Sequence, residues 1–220
     1  MRHAETRESH AMLDPMFDPA LLRPERVRPL LRREYEELIR LGAFEDERVE
    51  LLRGVLVEMS PQGEPHSRIT AWLAQRLIKA LDIDRFDIRS HSPFAASQDS
   101  MPEPDVSVAL RRTRGGYPRK ALLLIEVAHS SLVKDREIKR EIYAEAGVPE
   151  YWIVDVRHDV VDVLTKPTKD GYQNTRRVPV GGVLRPTKLP GVTIDVDRIP
   201  WASAEEKRRG DKPPRSSRRK

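Results

Sequence analysis

Two carboxylates are the first residues whose type and position could support chemistry. Asp105 follows the polar, proline-containing segment SQDSMPEP and leads into an apolar run over residues 106–110. Glu126 interrupts a second apolar run over residues 122–127. Because a carboxylate inside a buried strand costs several kcal/mol of desolvation unless it is paired, Glu126 needs a cation, a proton or a place at the rim of a sheet.

The two apolar runs could form an antiparallel hairpin across the basic turn of residues 111–120. Asp105 at the start of one strand would then meet Glu126 near the end of the other. Converging carboxylates repel each other unless a hard cation lies between them, and Mg²⁺ accepts oxygen ligands at ~2.0–2.1 Å while keeping several waters. The sequence therefore predicts a divalent-cation site, for Mg²⁺ or Mn²⁺, held by Asp105 and Glu126. Such a cation could polarise a phosphodiester and activate a water.

A helix is predicted over residues 135–146, where Asp135, Lys139 and Tyr143 recur by fours beside an Ile138/Ile142 stripe that we expect in the core. On this face Lys139 could reach the sheet edge and orient a nucleophilic water or offset phosphate charge. Tyr143 is a candidate substrate contact. The alternative for Lys139 is an exposed pair with Asp135, worth ~0.3–0.5 kcal/mol.

Glu50 and His66 are weaker candidates on spacing alone. Glu50 lies in a segment rich in glutamate, where most acids only solvate a surface. His66 stands near the start of an amphipathic helix and could contact a phosphate or an ordered water. Each also has a structural interpretation, and for a histidine at a helix start that is a cap or a partly buried side chain.

The elements that would position these residues centre on a strand, a helix and a second strand over residues 122–156. The helix is expected to end at Gly147, with Pro149 beyond it. Two strands joined by a helix are most simply parallel neighbours with a right-handed crossover. Further predictions are a helix over 31–41, hairpins over 48–59 and 158–178, strands over 85–95 and 106–110, and an extended segment over 183–199.

We expect three regions along the chain: an N-terminal arm over 1–29, one α/β domain over 30–204, and a disordered basic tail over 205–220. Residues 207–220 carry eight Lys/Arg and one Asp, so with a net charge of +5 for the whole chain the remainder carries about −2. Lys207, Arg208 and Arg209 at the start of this tail are predicted to contact nucleic-acid backbone.

Composition excludes several classes of site. The chain has no cysteine, which rules out disulfides, thiolate metal sites and a cysteine nucleophile. Its N-terminus has no apolar signal core, and no apolar run approaches the ~18 residues of a membrane span. We therefore expect a cytoplasmic protein that does not enter membranes.

Four segments together resemble the Uma-type family of bacterial candidate restriction endonucleases, within the PD-(D/E)XK nuclease superfamily. They are RVELLRGVLVEMSPQGEPHS, SMPEPDVSV, LLLIEVAHSS and KDREIKREIYAEAGVPEYWIVD. The match runs from about residue 34 to residue 201 and leaves out both ends of the chain. AEAGVPEYWIVD is its most specific part.

The resemblance implies a restriction-endonuclease-like mixed central β-sheet flanked by α-helices, with a magnesium-dependent phosphodiesterase site. It assigns Asp105 to the first acidic motif, Glu126 to the second and Glu50 to the acidic position that precedes the sheet. The usual lysine would stand two residues after Glu126, where this chain has Ala128. The resemblance makes Lys139, on the following helix, the candidate replacement.

The sequence therefore predicts an endonuclease that cuts DNA with Mg²⁺ or Mn²⁺, using Asp105, Glu126, Lys139 and Glu50. The alternative is a catalytically silent nuclease fold that binds nucleic acid or a protein partner, and Ala128 favours it. Enzymes that cut both strands often dimerise, but the sequence leaves a homodimer open. We also predict that Lys139→Ala abolishes cleavage while the fold stays nearly intact.

Overall fold

The computed structural model describes residues 28–112, 115–204 and 206, and all structural statements below refer to these residues. Most of the predicted N-terminal arm lies outside them, as do residue 205 and residues 207–220 of the basic tail, which include Lys207, Arg208 and Arg209. No helix in these described ranges is long and apolar enough to cross a membrane.

The chain folds into a six-stranded mixed sheet with helices on both faces and two smaller hairpins. The elements before the sheet are α1 (Arg32–Arg40), β1 (Val49–Leu52), β2 (Val55–Glu58) and α2 (Glu64–Ala80). The sheet contains β3 (Phe86–Ser90), β4 (Val106–Leu110), β5 (Leu123–Ala128), β6 (Glu150–Asp155), β7 (Val160–Thr168) and β8 (Gly171–Pro179). Between β5 and β6 lie α3 (Leu132–Lys134), a π-helical segment (Asp135–Lys139) and α4 (Arg140–Glu145).

The strands lie in the sheet in chain order, from β3 to β8. Within the described part of the sheet only β5 and β6 pair in parallel, and the other neighbouring pairs are antiparallel. This confirms the parallel pair around the 132–145 helical region, the hairpin of β4 with β5 and the hairpin of β7 with β8. The mixed α/β fold expected from the sequence is therefore the fold observed.

Helices bury both faces of the central sheet. On one face, α2 packs Ile69, Leu73 and Leu77 against apolar side chains of the sheet that include Ile125 and Val127. On the other face, Ile142 and Tyr143 of α4 join a second core with Leu124 and Ala128 of β5. Since side chains alternate between the faces of a strand, Glu126 lies on the second face, between Leu124 and Ala128, where α4 packs.

The buried stripe of the helix after β5 differs from the predicted one. Ile138, expected in the core, is 42% exposed, whereas Asp135, Lys139 and Tyr143 are almost fully buried. Ile142 is buried as predicted. The polar stripe can turn inward because its partners lie inside the protein: Lys139 and Tyr143 both bond to Glu126.

The hairpin of β1 and β2, which carries Glu50, turns on Arg53 and Gly54. Both residues have positive φ, 52° and 79°, as a two-residue hairpin turn of the primed type requires. A side chain at Gly54 would also collide with Pro29. Glycine at this position therefore suits both the turn and the close approach of the preceding chain.

The C-terminal part of the domain is less extended than predicted. Residues 183–199 contain only the short antiparallel pair β9 (Val183–Leu184) and β10 (Ile194–Asp195), followed by a 3₁₀ turn (Val196–Arg198). The prolines and glycines between these strands interrupt a longer ladder.

Candidate active site

Strand register brings Asp105 and Glu126 together. In the antiparallel pairing of β4 with β5, Val106 lies opposite Ile125, so Asp105 and Glu126, one residue further along, lie opposite each other. On the other side of β4, Ser90 pairs with Val106, and the backbone N–H of His91 donates to the carbonyl oxygen of Asp105 at 3.1 Å. The two predicted carboxylates thus lie at one edge of the sheet, with His91 beside them.

Glu126 is held by two donors from the helix that packs over it. Its Oε1 accepts hydrogen bonds from Lys139 Nζ at 2.9 Å and from the Tyr143 hydroxyl at 2.7 Å. Burial raises the pKa of Glu126 well above its ordinary value, because the attraction of Lys139 is opposed by repulsion from Asp135, Asp105 and the nearby Glu50. Glu126 therefore binds a proton more readily than an exposed glutamate does, and a bound cation would oppose that shift.

Lys139 and Glu50 form the buried ionic centre of the site. Lys139 Nζ lies 3.0 Å from Glu50 Oε2 as well as 2.9 Å from Glu126. Glu50 also accepts from Lys134 Nζ at 2.6 Å and from the Glu103 backbone N–H at 3.1 Å. Burial alone would lower the pKa of Lys139, but the carboxylates, led by Glu126, outweigh it and raise that pKa. Burial alone would raise the pKa of Glu50, but the nearby Lys139 and Lys134 outweigh burial, and the pKa of Glu50 is lowered.

Asp105 is held mainly by histidines. Its Oδ2 lies 3.0 Å from His66 Nε2 and accepts the Val127 backbone N–H at 2.7 Å. Its Oδ1 has only a longer contact, 3.4 Å to His91 Nδ1, and the same nitrogen lies 3.0 Å from Gln62 Nε2. Burial alone would raise the pKa of Asp105, but hydrogen bonding to His66 and His91 outweighs it and lowers the pKa below the usual range.

These groups open onto a cavity of about 790 Å³. Its walls come from the start of α2, the carboxylates of β4 and β5, and the segment from His129 through the π-helical turn. Asp105, Glu126, Lys139, Lys134 and Asp135 all line it. Glu50 and Tyr143 are fully buried and lie behind Glu126 and Lys139, so Tyr143 supports Glu126 rather than facing a substrate.

Sequence reasoning does not identify three residues of the site. His91 lies at the end of β3 with φ 48°, an uncommon conformation for a residue other than glycine and one that clusters at functional sites; no sequence pattern signals it. Asp135 precedes Lys139 by four residues, so helical spacing places both on one face; Lys134, five residues before Lys139, has no such signal. The sequence suggests Asp135 only as an exposed partner of Lys139, and its burial corrects that interpretation.

The donor set fits a divalent cation, although no three His, Asp or Glu side chains within the described ranges are arranged to hold one unaided. Glu126 Oε2 accepts no hydrogen bond from any described residue, and Asp105 Oδ1 has only the 3.4 Å contact to His91. Two carboxylate oxygens are thus free to act as ligands. A cation that retains several waters, as Mg²⁺ does, suits a site with so few protein ligands.

The chain matches the sequence profile of a protein family over most of its length. The profile of the Uma2 family, described as "Putative restriction endonuclease", matches residues 32–197. The chain belongs to the Uma2 family. The match includes Glu50, His66, Asp105, Glu126 and Lys139, and it confirms the resemblance inferred from the four sequence segments.

A solved structure shows the same fold as this Uma2-family chain. It is the crystal structure of "a putative nuclease belonging to DUF820" from Anabaena variabilis, with a TM-score of 0.61 and 16% sequence identity, covering 78% of this chain and 97% of the other. No curated protein matched the chain. At this level of identity the likeness concerns the fold, so the chemistry of the site must be argued from its own residues.

Proposed function

We propose that this protein is a metal-dependent endonuclease-like phosphodiesterase that acts on DNA. The observation that carries the proposal is the pairing of Asp105 and Glu126 across adjacent strands at a cavity, with Glu126 Oε2 free and Oε1 held by Lys139. Membership of a family described as "Putative restriction endonuclease" supports the reaction class. The open cavity gives a phosphodiester access to these carboxylates.

In this proposal Asp105 and Glu126 hold Mg²⁺ or Mn²⁺ through Asp105 Oδ1 and Glu126 Oε2. When bound, the cation would polarise a phosphoryl oxygen and lower the pKa of a water. Lys139 and the Tyr143 hydroxyl fix the Glu126 carboxylate from behind. Glu50 in turn fixes Lys139 through the ion pair between them. Both oxygens of Glu50 are already bonded to lysines or to backbone, so Glu50 is not expected to bind the metal. Glu50 and Tyr143 are therefore positioning residues.

Although acids outnumber cations around the cavity, Lys134 at its wall could meet a phosphate. Lys134 is anchored to Glu50 yet keeps 23% of its side chain exposed, so it can offer an ammonium group to a phosphate. Arg68 also lines the cavity, but Glu64 and Glu206 already neutralise it. His66 lies against Asp105 at the same wall, where it can contact a phosphate or a water of the cation.

The direct test is cleavage of supercoiled plasmid by the pure full-length protein with Mg²⁺, Mn²⁺ or excess chelator. We expect nicking or linearisation only with the cation, and a loss of about 10²-fold or more in Asp105→Asn and in Glu126→Gln. Glu37→Gln is the matched control, because Glu37 is an exposed acid paired with Arg40 on α1. Cleavage that persists in chelator, or at full rate in both site variants, would contradict the proposal.

A silent nucleic-acid-binding module is the second candidate, and two observations favour it. Ala128 occupies the position of the usual lysine and is buried in the core beside α4. Lys139, the replacement, is committed to two carboxylates. Such a module would bind duplex DNA or RNA with cation present and leave both intact, so the same preparation assayed for binding and cleavage separates the two functions.

A further inference from the structure

Asp135 has a buried carboxylate oxygen without a partner. It is the first residue of the π-helical segment, only 1% exposed, and it lines the cavity beside Glu126 and Lys139. Its Oδ2 accepts a hydrogen bond from Ser131 Oγ at 2.6 Å, whereas Oδ1 is buried with no hydrogen-bond partner among the described residues. Leaving such an atom unsatisfied costs about 1–3 kcal/mol, and π-helical turns recur at functional sites.

The other buried carboxylates around the cavity are more fully used. Both oxygens of Glu50 are bonded, Asp105 Oδ2 has two donors, and Glu126 Oε1 has two donors. Glu126 Oε2 and Asp135 Oδ1 accept no hydrogen bond from a described residue, and Asp105 Oδ1 has only the 3.4 Å contact to His91. Asp105 Oδ1 and Glu126 Oε2 fit the cation proposed above. Asp135 Oδ1 has no assigned role, and because Asp135 lines the cavity, a molecule bound there could supply its donor.

Lys139 does not suit the task of accepting a proton. It is already protonated in its two ion pairs, and the carboxylates around it raise its pKa. A base that activates water must instead have a free lone pair and a tendency to bind a proton. Asp135 has both properties, since Oδ1 is unbonded and burial raises the pKa of this carboxyl.

We propose that Asp135 is a catalytic residue of this site, with Oδ1 accepting a hydrogen bond from the attacking water and then taking its proton. This role rests on the phosphodiesterase function proposed above. As the O–H bond of water breaks, its proton moves to Asp135 Oδ1 and the water oxygen forms a bond to phosphorus. The bond from phosphorus to the leaving sugar oxygen breaks, and that oxygen keeps the electron pair and takes a proton from solvent water.

The test compares Asp135→Asn with Glu137→Gln, an acid-to-amide change at an exposed position of the same π-helical segment. Loss of a general base reduces turnover by about 10²–10⁴-fold. We therefore expect kcat to fall by that factor in Asp135→Asn, with KM and the Mn²⁺ dissociation constant within about threefold of the parent. Glu137→Gln should match the parent throughout.

A second substrate distinguishes activation of water from assistance to the leaving group. Bis(p-nitrophenyl) phosphate releases a leaving group that needs no protonation, but its hydrolysis still requires an activated water. If Asp135 is the base, Asp135→Asn should therefore reduce kcat by a similar factor with this substrate and with DNA. A loss confined to DNA would place Asp135 at the leaving oxygen and overturn the proposal. A loss of Mn²⁺ affinity would also overturn it, by making Asp135 a ligand.

Two further outcomes keep the test decisive. If Asp135→Asn does not fold, Ser131→Ala removes the hydrogen bond that holds Oδ2 and should lower kcat about threefold or more without changing Mn²⁺ affinity; unchanged turnover would count against the role. An active parent with an equally active Asp135→Asn overturns this inference alone. A parent that cleaves neither substrate with any cation overturns the proposed function, and this role with it.

Discussion

Replacing Lys139 with methionine should destabilise the protein as well as silence it. Lys139 is 2% exposed, and its ammonium group bonds to both Glu50 and Glu126, which are themselves buried. Methionine keeps most of the side-chain volume and removes only the charge and its donors. The sequence-based prediction of a nearly intact fold assumes a lysine at the border of the core, and the burial of Lys139 contradicts that assumption.

The size of the effect follows from the bonds that remain. Glu50 keeps Lys134 and the Glu103 N–H, but Glu126 keeps only the Tyr143 hydroxyl. Removing one partner of a buried ion pair typically costs about 3–5 kcal/mol, because the other charge stays buried and unpaired. Since small domains have a free energy of unfolding of about 5–15 kcal/mol, the loss should be easy to measure.

The assay is urea unfolding at pH 7 without divalent cations, for Lys139→Met, Glu126→Gln and the double variant. We expect the double variant to be more stable than the sum of the single losses predicts, by about 1–3 kcal/mol, because it leaves no unpaired Glu126 charge. Lys79→Met, at an exposed position of α2, is the control and should change stability by less than about 0.5 kcal/mol. A loss below about 1 kcal/mol in Lys139→Met, with additive effects in the double variant, would refute the buried ion pair.

Three other predictions concern protons and salt. The pKa of Glu126 is raised above its usual 4.5, so a cation must compete with a proton there. Mn²⁺ affinity should therefore increase with pH above 4.5, and calorimetry in different buffers should detect proton release. Binding that does not depend on pH would exclude Glu126 as a ligand. Because the pKa of Asp105 is lowered from 3.8, its contribution to stability is present above that pH and is lost as the pH falls below it, so the unfolding free energy of Asp105→Asn should decline less in acid than that of the parent. Truncation after Glu206 should weaken DNA binding and reduce the salt dependence by about 0.9 in log K per log salt for each phosphate that the tail no longer neutralises, with cleavage at saturating DNA unchanged; an unaltered salt slope would assign the tail no role in binding.

Much of the fold could be predicted because local patterns and long-range pairing agree. The apolar runs around Asp105 and Glu126 are short, and the turn between them favours a hairpin, so the convergence of the two carboxylates follows from the order of the residues alone. Gly147 marks the end of the helix, which stops at Glu145 and is followed by Gly147 at φ 72°. Glycine at such a position is an intrinsic backbone requirement and is visible in sequence.

The parts of the site that were not predicted depend on tertiary contacts. Helical periodicity predicts Ile138 in the core, but it cannot show that Glu126 and Glu50 lie inside to pair with Lys139. His91 joins Asp105 because β3 pairs with β4, a long-range pairing that no local pattern around His91 reveals. Helical spacing also does not reveal that the hydroxyl of Tyr143, which the sequence offers as a substrate contact, already donates to Glu126.

The balance of charge around the cavity explains why a divalent cation and protons should compete there. Four acids of the site are almost fully buried, Glu50, Asp105, Glu126 and Asp135, and the lysines paired with them are Lys134 and Lys139. With neutral histidines, this set has a formal charge of about −2, which one Mg²⁺ or Mn²⁺ would cancel. Without the cation, burial and the same excess of negative charge raise the pKa of Glu126 and of Asp135. Protonation and cation binding thus relieve the same repulsion. A proton on Glu126 would compete with the cation and a proton on Asp135 would remove the proposed base, so acid should inhibit cleavage in both ways.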